Sequence, residues 1–157
     1  MDGDLQSKKY IVVDLDGTLT IQGARTEELK KDPPNWERLF QRCDEDLPNF
    51  AVVGAIRNLR SRYHIIFCTG RAMYPTVLEK TKKQIFDFVG IHAQKGINLF
   101  MREAGDYRPD TEIKPELLAK AGITPENTLF IMEDRNSVVA KWRELGFDCF
   151  QVAIGDF

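Results

Sequence analysis

Short apolar runs and polar breaks alternate along the chain, and the runs share a form. Tyr10–Val13 is a β-branched stretch that ends in a charged turn, the pattern of a buried strand. His64–Cys68 repeats the form and ends in Thr69-Gly70. Thr128–Met132 repeats it again and ends in Glu133-Asp134. Phe147–Val152 is a fourth expected strand and Ile97–Met101 a fifth, less regular one. Between the runs the apolar period changes to that of a helix. Val52, Ile56 and Leu59 fall on one face, as do Leu78, Ile85 and Val89. Val139, Trp142 and Leu145 form another stripe, with Asn136 or Ser137 placed to cap it. A shorter helix is expected over Lys114–Ala121, with Pro115 in its first turn and Gly122 ending it.

Strands that alternate with helices predict an α/β fold with a parallel sheet covered on both faces. Asp32-Pro33-Pro34-Asn35 interrupts the polar stretch from Gly17 to Asp46, which reads as a flap with a small helix over the first strand. The 157 residues are read as one domain, large enough to bury a core without staples.

Composition narrows the function classes. Hydrophobic residues make up 43% and charged residues 29%, as in an ordinary soluble protein. A net charge of -2 argues against a generally basic nucleic-acid binder while allowing a local basic patch. The odd set Cys43, Cys68 and Cys149, without a CxxC, points to reduced thiols rather than a disulfide framework or zinc site. The polar residues from Met1 to Lys9 do not form a signal peptide, and no apolar run is long enough to cross a membrane. A reducing cytoplasm is the expected compartment.

The chemistry gathers at the strand ends. In open α/β sheets ligands bind beyond the carboxyl ends of the strands, so three polar strand ends converge on one pocket. The first is Asp14-Leu15-Asp16-Gly17-Thr18: two carboxylates one residue apart, then a glycine that lets the chain turn. One carboxylate can attack phosphorus while the other moves protons; a solvated acidic turn is the plainer alternative. The second is Thr69-Gly70-Arg71, whose hydroxyl, backbone N–H groups and guanidinium suit phosphate oxygens, although an ordinary turn has the same composition. Lys114 is borne on a helix, and Glu133-Asp134 after a very apolar strand suggests oxygen ligands for a hard cation.

In this order the four motifs resemble the haloacid dehalogenase (HAD) superfamily of phosphohydrolases, and more closely the 3′-phosphatase domain of phage polynucleotide kinase/phosphatase. Asp14–Thr20 is followed by a flap arginine, Arg25, and by a C-D-x-D segment, Cys43-Asp44-Glu45-Asp46. The segment Met101–Asp110, rich in Arg, Gly and Asp, precedes Lys114, and the end Cys149–Phe157 is also similar. The resemblance implies a HAD-like fold with a minimal cap and a Mg²⁺-dependent phosphomonoesterase. Asp14 is then the nucleophile, Asp16 the acid/base, and Lys114 a third catalytic group. Thr69, Gly70, Arg71, Arg25 and Asp110 are expected at the phosphate, and Asp14, Asp16, Asp134 and Glu133 at the metal. Glu133 stands where the family has aspartate, one methylene longer, and is expected either to reach the metal's water shell or to be tolerated.

The same resemblance implies the 3′ ends of DNA or RNA as substrate, no membrane partner, either a monomer or a homodimer, and, if phage-encoded, the cytoplasm of an infected cell. It does not extend to a kinase half, because no GxxxxGK[ST] loop occurs. Two rival readings are a HAD phosphatase for small nucleotides or sugar phosphates, and an inactive HAD fold used as a binding module. Trp142 is read as core. Trp36 and Phe40 are read as core cover or as stacking surfaces, and Arg102 and Arg108 as solvated groups or guides for a nucleic-acid backbone.

Overall fold

The computed structural model describes residues 2–155; Met1, and Asp156 and Phe157 of the family-like carboxyl end, lie outside them. Five strands form the main sheet: β1 (Tyr10–Val13), β4 (His64–Ala72), β5 (Leu99–Arg102), β6 (Thr128–Glu133) and β7 (Cys149–Gln151). Their order is β5-β4-β1-β6-β7, and every neighbouring pair is parallel. The first strand therefore lies at the centre, and the chain winds outward in both directions from it.

Strand alternation explains why both faces are covered. Ile11 and Val13 point to one side, where they meet Val52 and Ile56 of α3 (Phe50–Leu59) and Val77, Ile85 and Val89 of α4 (Pro75–Val89). Val12 points to the other, where it joins Leu118 of α5 (Asp110–Lys120) and Val138, Val139 and Trp142 of α6 (Asn136–Glu144). Full burial of each large apolar side chain contributes about 1.5–3 kcal/mol. Both faces of β1 are covered, so a slip in register would draw Lys9 or Asp14 into the apolar layers.

Several boundaries depart from the sequence expectation. Strand β4 continues through Thr69-Gly70-Arg71 to Ala72 because β5 keeps pairing with it, Thr69 to Met101 and Ala72 to Arg102, across an irregularity. The fifth strand starts at Leu99 rather than Ile97, which is 67% exposed. The fourth expected strand shrinks to Cys149–Gln151. Helix α5 starts at Asp110, so Pro115 lies inside it rather than in its first turn; Pro109 carbonyl accepts from the Glu112 and Ile113 N–H groups and opens the helix earlier. Neither Asn136 nor Ser137 caps α6. Arg135 holds the cap position, and Asn136 Oδ1 accepts from Gln151 Nε2 and Gly155 N instead. Leu145 leaves the expected stripe at the helix end and is 42% exposed.

The flap is more ordered than its composition implied. A short antiparallel pair joins β2 (Thr20–Ile21) to β3 (Leu47–Pro48), and between them lie a 3-10 segment at Ala24–Lys30, α2 (Trp36–Gln41) and a 3-10 turn at Cys43–Glu45. A five-residue helix, α1 (Asp2–Gln6), precedes β1. Phe40 packs against the core as expected, whereas Trp36 keeps about half its surface free.

Candidate active site

The turn after β1 is built by local hydrogen bonds. Gly17 adopts φ 84°, which lets the chain double back. The Thr18 and Thr20 N–H groups then both donate to Leu15 carbonyl. This fold-back buries Thr18 and aims its hydroxyl at Asp14 Oδ2, 2.8 Å away. The same hydroxyl lies 3.4 Å from Asp134 Oδ1. A Cβ at Gly17 would stand 2.1 Å from Asp134 Oδ2, so only glycine lets the two strand ends meet.

Asp14 is 4% exposed and forms the centre of a buried cluster. Lys114, on the second turn of α5, donates to Asp14 Oδ1 at 2.8 Å and to Glu133 Oε2 at 2.8 Å. Asp134 N donates to Glu133 Oε1. Asp14, Glu133 and Asp134 each offer an oxygen within 4.8 Å of the others. Burial and the nearby Glu133 carboxylate push Asp14 up to about 7, although Lys114 opposes them. Burial and Asp14 push Asp134 up to about 6. For Lys114 burial acts downward, but Asp14 and Glu133 outweigh it and hold the ammonium well above its ordinary value. Three carboxylates face one ammonium here, and when all are ionised two negative charges remain without a partner. That donor set fits a hard divalent cation with oxygen ligands.

Asp16 occupies the opposite electrostatic environment. Arg71 Nη2 donates to Asp16 Oδ1 at 2.7 Å and Nε does so at 3.0 Å, while Arg25 Nη2 approaches the same oxygen at 2.7 Å. Burial alone would raise this carboxyl, but Arg71 and Arg25 outweigh it and bring it down to about 2. Two aspartates one residue apart are thus separated into a proton-retaining group and a fully ionised one.

The guanidinium groups are themselves held from behind. Arg25 is fully buried; its Nε and Nη2 fork onto Asp46 at 2.8 and 2.6 Å, and Nη1 donates to Leu39 carbonyl. Arg71 is fully buried too, and Thr81 and Gln84 of α4 accept from its Nη1 and Nη2. Both arginines are expected at the phosphate, and in the structure both pair with Asp16.

The remaining expected site residues form a third group beside these two. Thr69 is buried and its hydroxyl accepts from Arg71 N. Gly70 leaves room for Asp110, whose Oδ1 would lie 2.5 Å from a Cβ at that position. Arg102 pairs with Asp110 and donates to Gly70 carbonyl, with Arg135 3.6 Å from the other Asp110 oxygen. Arg102 is thereby tied beneath the loop, and Arg108 pairs with Asp106 and Glu116. The Asp16 carboxylate, also expected at the metal, faces the two arginines and is not part of the acidic cluster.

Sequence reasoning missed Thr18, Asp46, Thr81 and Gln84 as contributors. A signal existed for three of them. Asp46 closes the C-D-x-D segment, and Thr81 and Gln84 are polar positions beside Leu78 and Ile85 on the apolar side of α4.

A family model described as "Polynucleotide kinase PNKP phosphatase domain" matches residues 8–157. A chain of the Pnkp1/Rnl/Hen1 RNA repair complex superposes with a TM-score of 0.75 at 33% identity, over 96% of this chain and 44% of that one. A second structure of the Pnkp1/Rnl/Hen1 complex gives 0.75 and 33%, over 95% and 47%. The chain therefore spans less than half the length of those relatives. A HAD-like family hydrolase from Porphyromonas gingivalis shares the fold with a TM-score of 0.59 at 18% identity, over 92% and 91% of the two chains. So does a HAD family enzyme from Bacteroides thetaiotaomicron in a magnesium complex, at 0.59 and 14%, over 92% and 93%.

Proposed function

We propose, from the premise that this chain belongs to the PNKP phosphatase-domain family and is a HAD-family phosphatase, that it removes terminal 3′-phosphates from DNA or RNA strands. It would leave a 3′-hydroxyl and inorganic phosphate, through an aspartyl-phosphate on Asp14. The observation that carries this reading is geometric: at the end of β1, Lys114 and the oxygens of Glu133 and Asp134 surround Asp14, while Arg25 and Arg71 hold Asp16 just beyond it. The 33% identity to a chain of an RNA repair complex supports a nucleic-acid end as substrate.

In the first step an Asp14 carboxylate oxygen attacks phosphorus, the bond from phosphorus to the 3′ oxygen breaks, and Asp16 supplies the proton that the leaving oxygen takes up. In the second step water attacks the phosphorus of the aspartyl-phosphate, passes a proton to Asp16, and frees Asp14 and phosphate. Asp16 is ionised at rest. Arrival of a phosphate dianion adds negative charge beside it and raises its proton affinity, so that it takes up a proton from solvent before the first step, and the water of the second step restores that proton for the next turnover. Lys114 holds the Asp14 oxygen that does not attack and offsets the charge that builds up there. Asp14 and Asp134, with Glu133 behind them, would hold Mg²⁺, which supplies further positive charge against the phosphate oxygens. Arg25 and Arg71 position Asp16 and keep its carboxylate fixed.

The test is a substrate panel. A 3′-phosphorylated oligonucleotide should be dephosphorylated in Mg²⁺ far faster than its 5′-phosphorylated twin, and EDTA should stop the reaction. Equal rates on both ends, or faster turnover of free nucleotides, would move the assignment to a small-molecule phosphatase.

A further inference from the structure

We infer that the groove between the flap and Asp134 seats the sugar and base of the strand's last nucleotide, with Gln22 and Asn49 as its polar readers; this rests on the 3′-phosphatase reading above.

A groove of about 420 Å³ runs from Gly17 and Asp134 outward along Ile21 and Gln22, with Asn49 also in its wall. Its floor is one side chain away from the nucleophile, because the Thr18 hydroxyl touches Asp14 Oδ2 at 2.8 Å and stands 3.4 Å from Asp134 Oδ1. Of the acidic cluster the groove reaches Asp134, so an occupant would lie beside a phosphate held at Asp14. The volume lies at the small end of the range of about 300–1,000 Å³ found for ligand pockets, which suits one nucleoside and not a longer stretch of strand.

The chemistry of the walls selects among possible occupants. No lysine or arginine lines the groove, and its single charged residue is Asp134, so a second phosphate has nothing to bind there. A sugar phosphate with several charges is disfavoured for the same reason. Gln22 and Asn49 are both half-buried, and among the described residues neither amide makes an intramolecular hydrogen bond. A side-chain amide carries two donors and an acceptor, which matches ribose hydroxyls and base edges. Both amides remain open to water, which the hydroxyls or base edges of a ligand can replace.

The apolar wall supplies the other half. Ile21 pairs across the ribbon with Leu47, and these two side chains are 55% and 69% exposed. An apolar ledge at the mouth of a groove with amide walls fits a flat base resting against it and a sugar directed inward. The larger surface hollow, near Phe130 and Phe150, lies at the β7 edge and touches none of the site residues.

The experiment compares Gln22→Ala, Asn49→Ala and the double variant with the wild type. Each is assayed on a 3′-phosphorylated oligonucleotide and on p-nitrophenyl phosphate, which has no sugar or base. The ratio of kcat/KM on the oligonucleotide to that on p-nitrophenyl phosphate should fall about fivefold to tenfold per amide, the scale of one lost neutral hydrogen bond. The loss should lie in KM. Ile21→Ser should lower the same ratio without altering the circular dichroism spectrum. An unchanged ratio in the double variant, in a wild type that cleaves the oligonucleotide well, would overturn the groove assignment alone. A wild type that cleaves p-nitrophenyl phosphate but not the oligonucleotide would overturn the 3′-phosphatase reading and this proposal with it. An equal fall on both substrates would make the amides structural and also overturn the proposal.

Discussion

Arg25→Lys offers the sharpest check on the site's electrostatics. The guanidinium is fully buried and makes four hydrogen bonds: two to Asp46, one to Asp16 and one to Leu39 carbonyl. A lysine keeps the charge but has no planar fork, so it cannot grip Asp46 at both oxygens and Asp16 together. Removing a partner from a buried charge network costs about 3–5 kcal/mol, and the retained charge recovers part of this, leaving a destabilisation of about 2–4 kcal/mol. The drop of Asp16 from 3.8 to about 2 corresponds to roughly 2 kcal/mol of net preference for its ionised form, and Arg25 supplies part of it. A depressed carboxylate adds stability above its unfolded value, and that stability is lost as pH falls from about 4 to 2. Urea melts should therefore show the variant much weaker than the wild type at pH 7 and closer to it near pH 3. Because Arg25 acts through Asp16, kcat/KM should fall about 10²-fold on both a 3′-phosphorylated oligonucleotide and p-nitrophenyl phosphate. A loss confined to the oligonucleotide would refute this account and put Arg25 on the strand.

Asp14→Asn should fold normally by circular dichroism and leave at most ~10⁻³ of wild-type turnover, since an amide is a poor nucleophile. Glu133→Gln removes one of the two carboxylates on Lys114, so kcat should fall about tenfold while the Mg²⁺ concentration for half-maximal rate moves less than about threefold; a larger move would put Glu133 on the metal. Asp14 near 7 and Asp134 near 6 must both lose protons to bind a cation, so Mg²⁺ affinity measured by calorimetry should weaken as pH drops from 7.5 to 5.5. In EDTA the raised carboxylates favour the folded state at the lower pH, so Tm contributions from this site should rise as pH falls from about 7 toward 4, and the opposite trend for wild type relative to Asp14→Asn would contradict the assignment. Gly17→Ala forces a Cβ into Asp134 at a positive φ, and should abolish Mg²⁺-dependent stabilisation in thermal melts.

The sheet was legible because buried strands and amphipathic helices write their periods into the chain. Tyr10–Val13 has no polar position, which is what a central parallel strand with two covered faces requires. The strand-end motifs were legible for a related reason: their polar residues interrupt apolar runs abruptly. The partners of Arg25 and Arg71 were not, because they depend on distances that no local pattern encodes. Asp46 lies far along the chain from Arg25, and only the β2–β3 ribbon returns it to the site. Similarly, Lys114 looked like a helix opener because Pro115 follows it, yet the loop carbonyl of Pro109 starts the helix a turn earlier. That extra turn is what sets Asp110 beside Gly70 and Lys114 beside Asp14.

Every reacting group comes from the carboxyl ends of parallel strands or from the segments that cover them, and the opposite rim of the sheet is left with plain turns. Ser61 and Arg62 before β4, and the turn through Thr124 and Glu126 before β6, are exposed or half-exposed and hold no site residue. Those turns are where a fluorophore, an affinity handle or a grafted module can be attached at a distance from the acidic cluster, so that under the proposed function a reporter there would follow the loading of a strand end from outside the pocket.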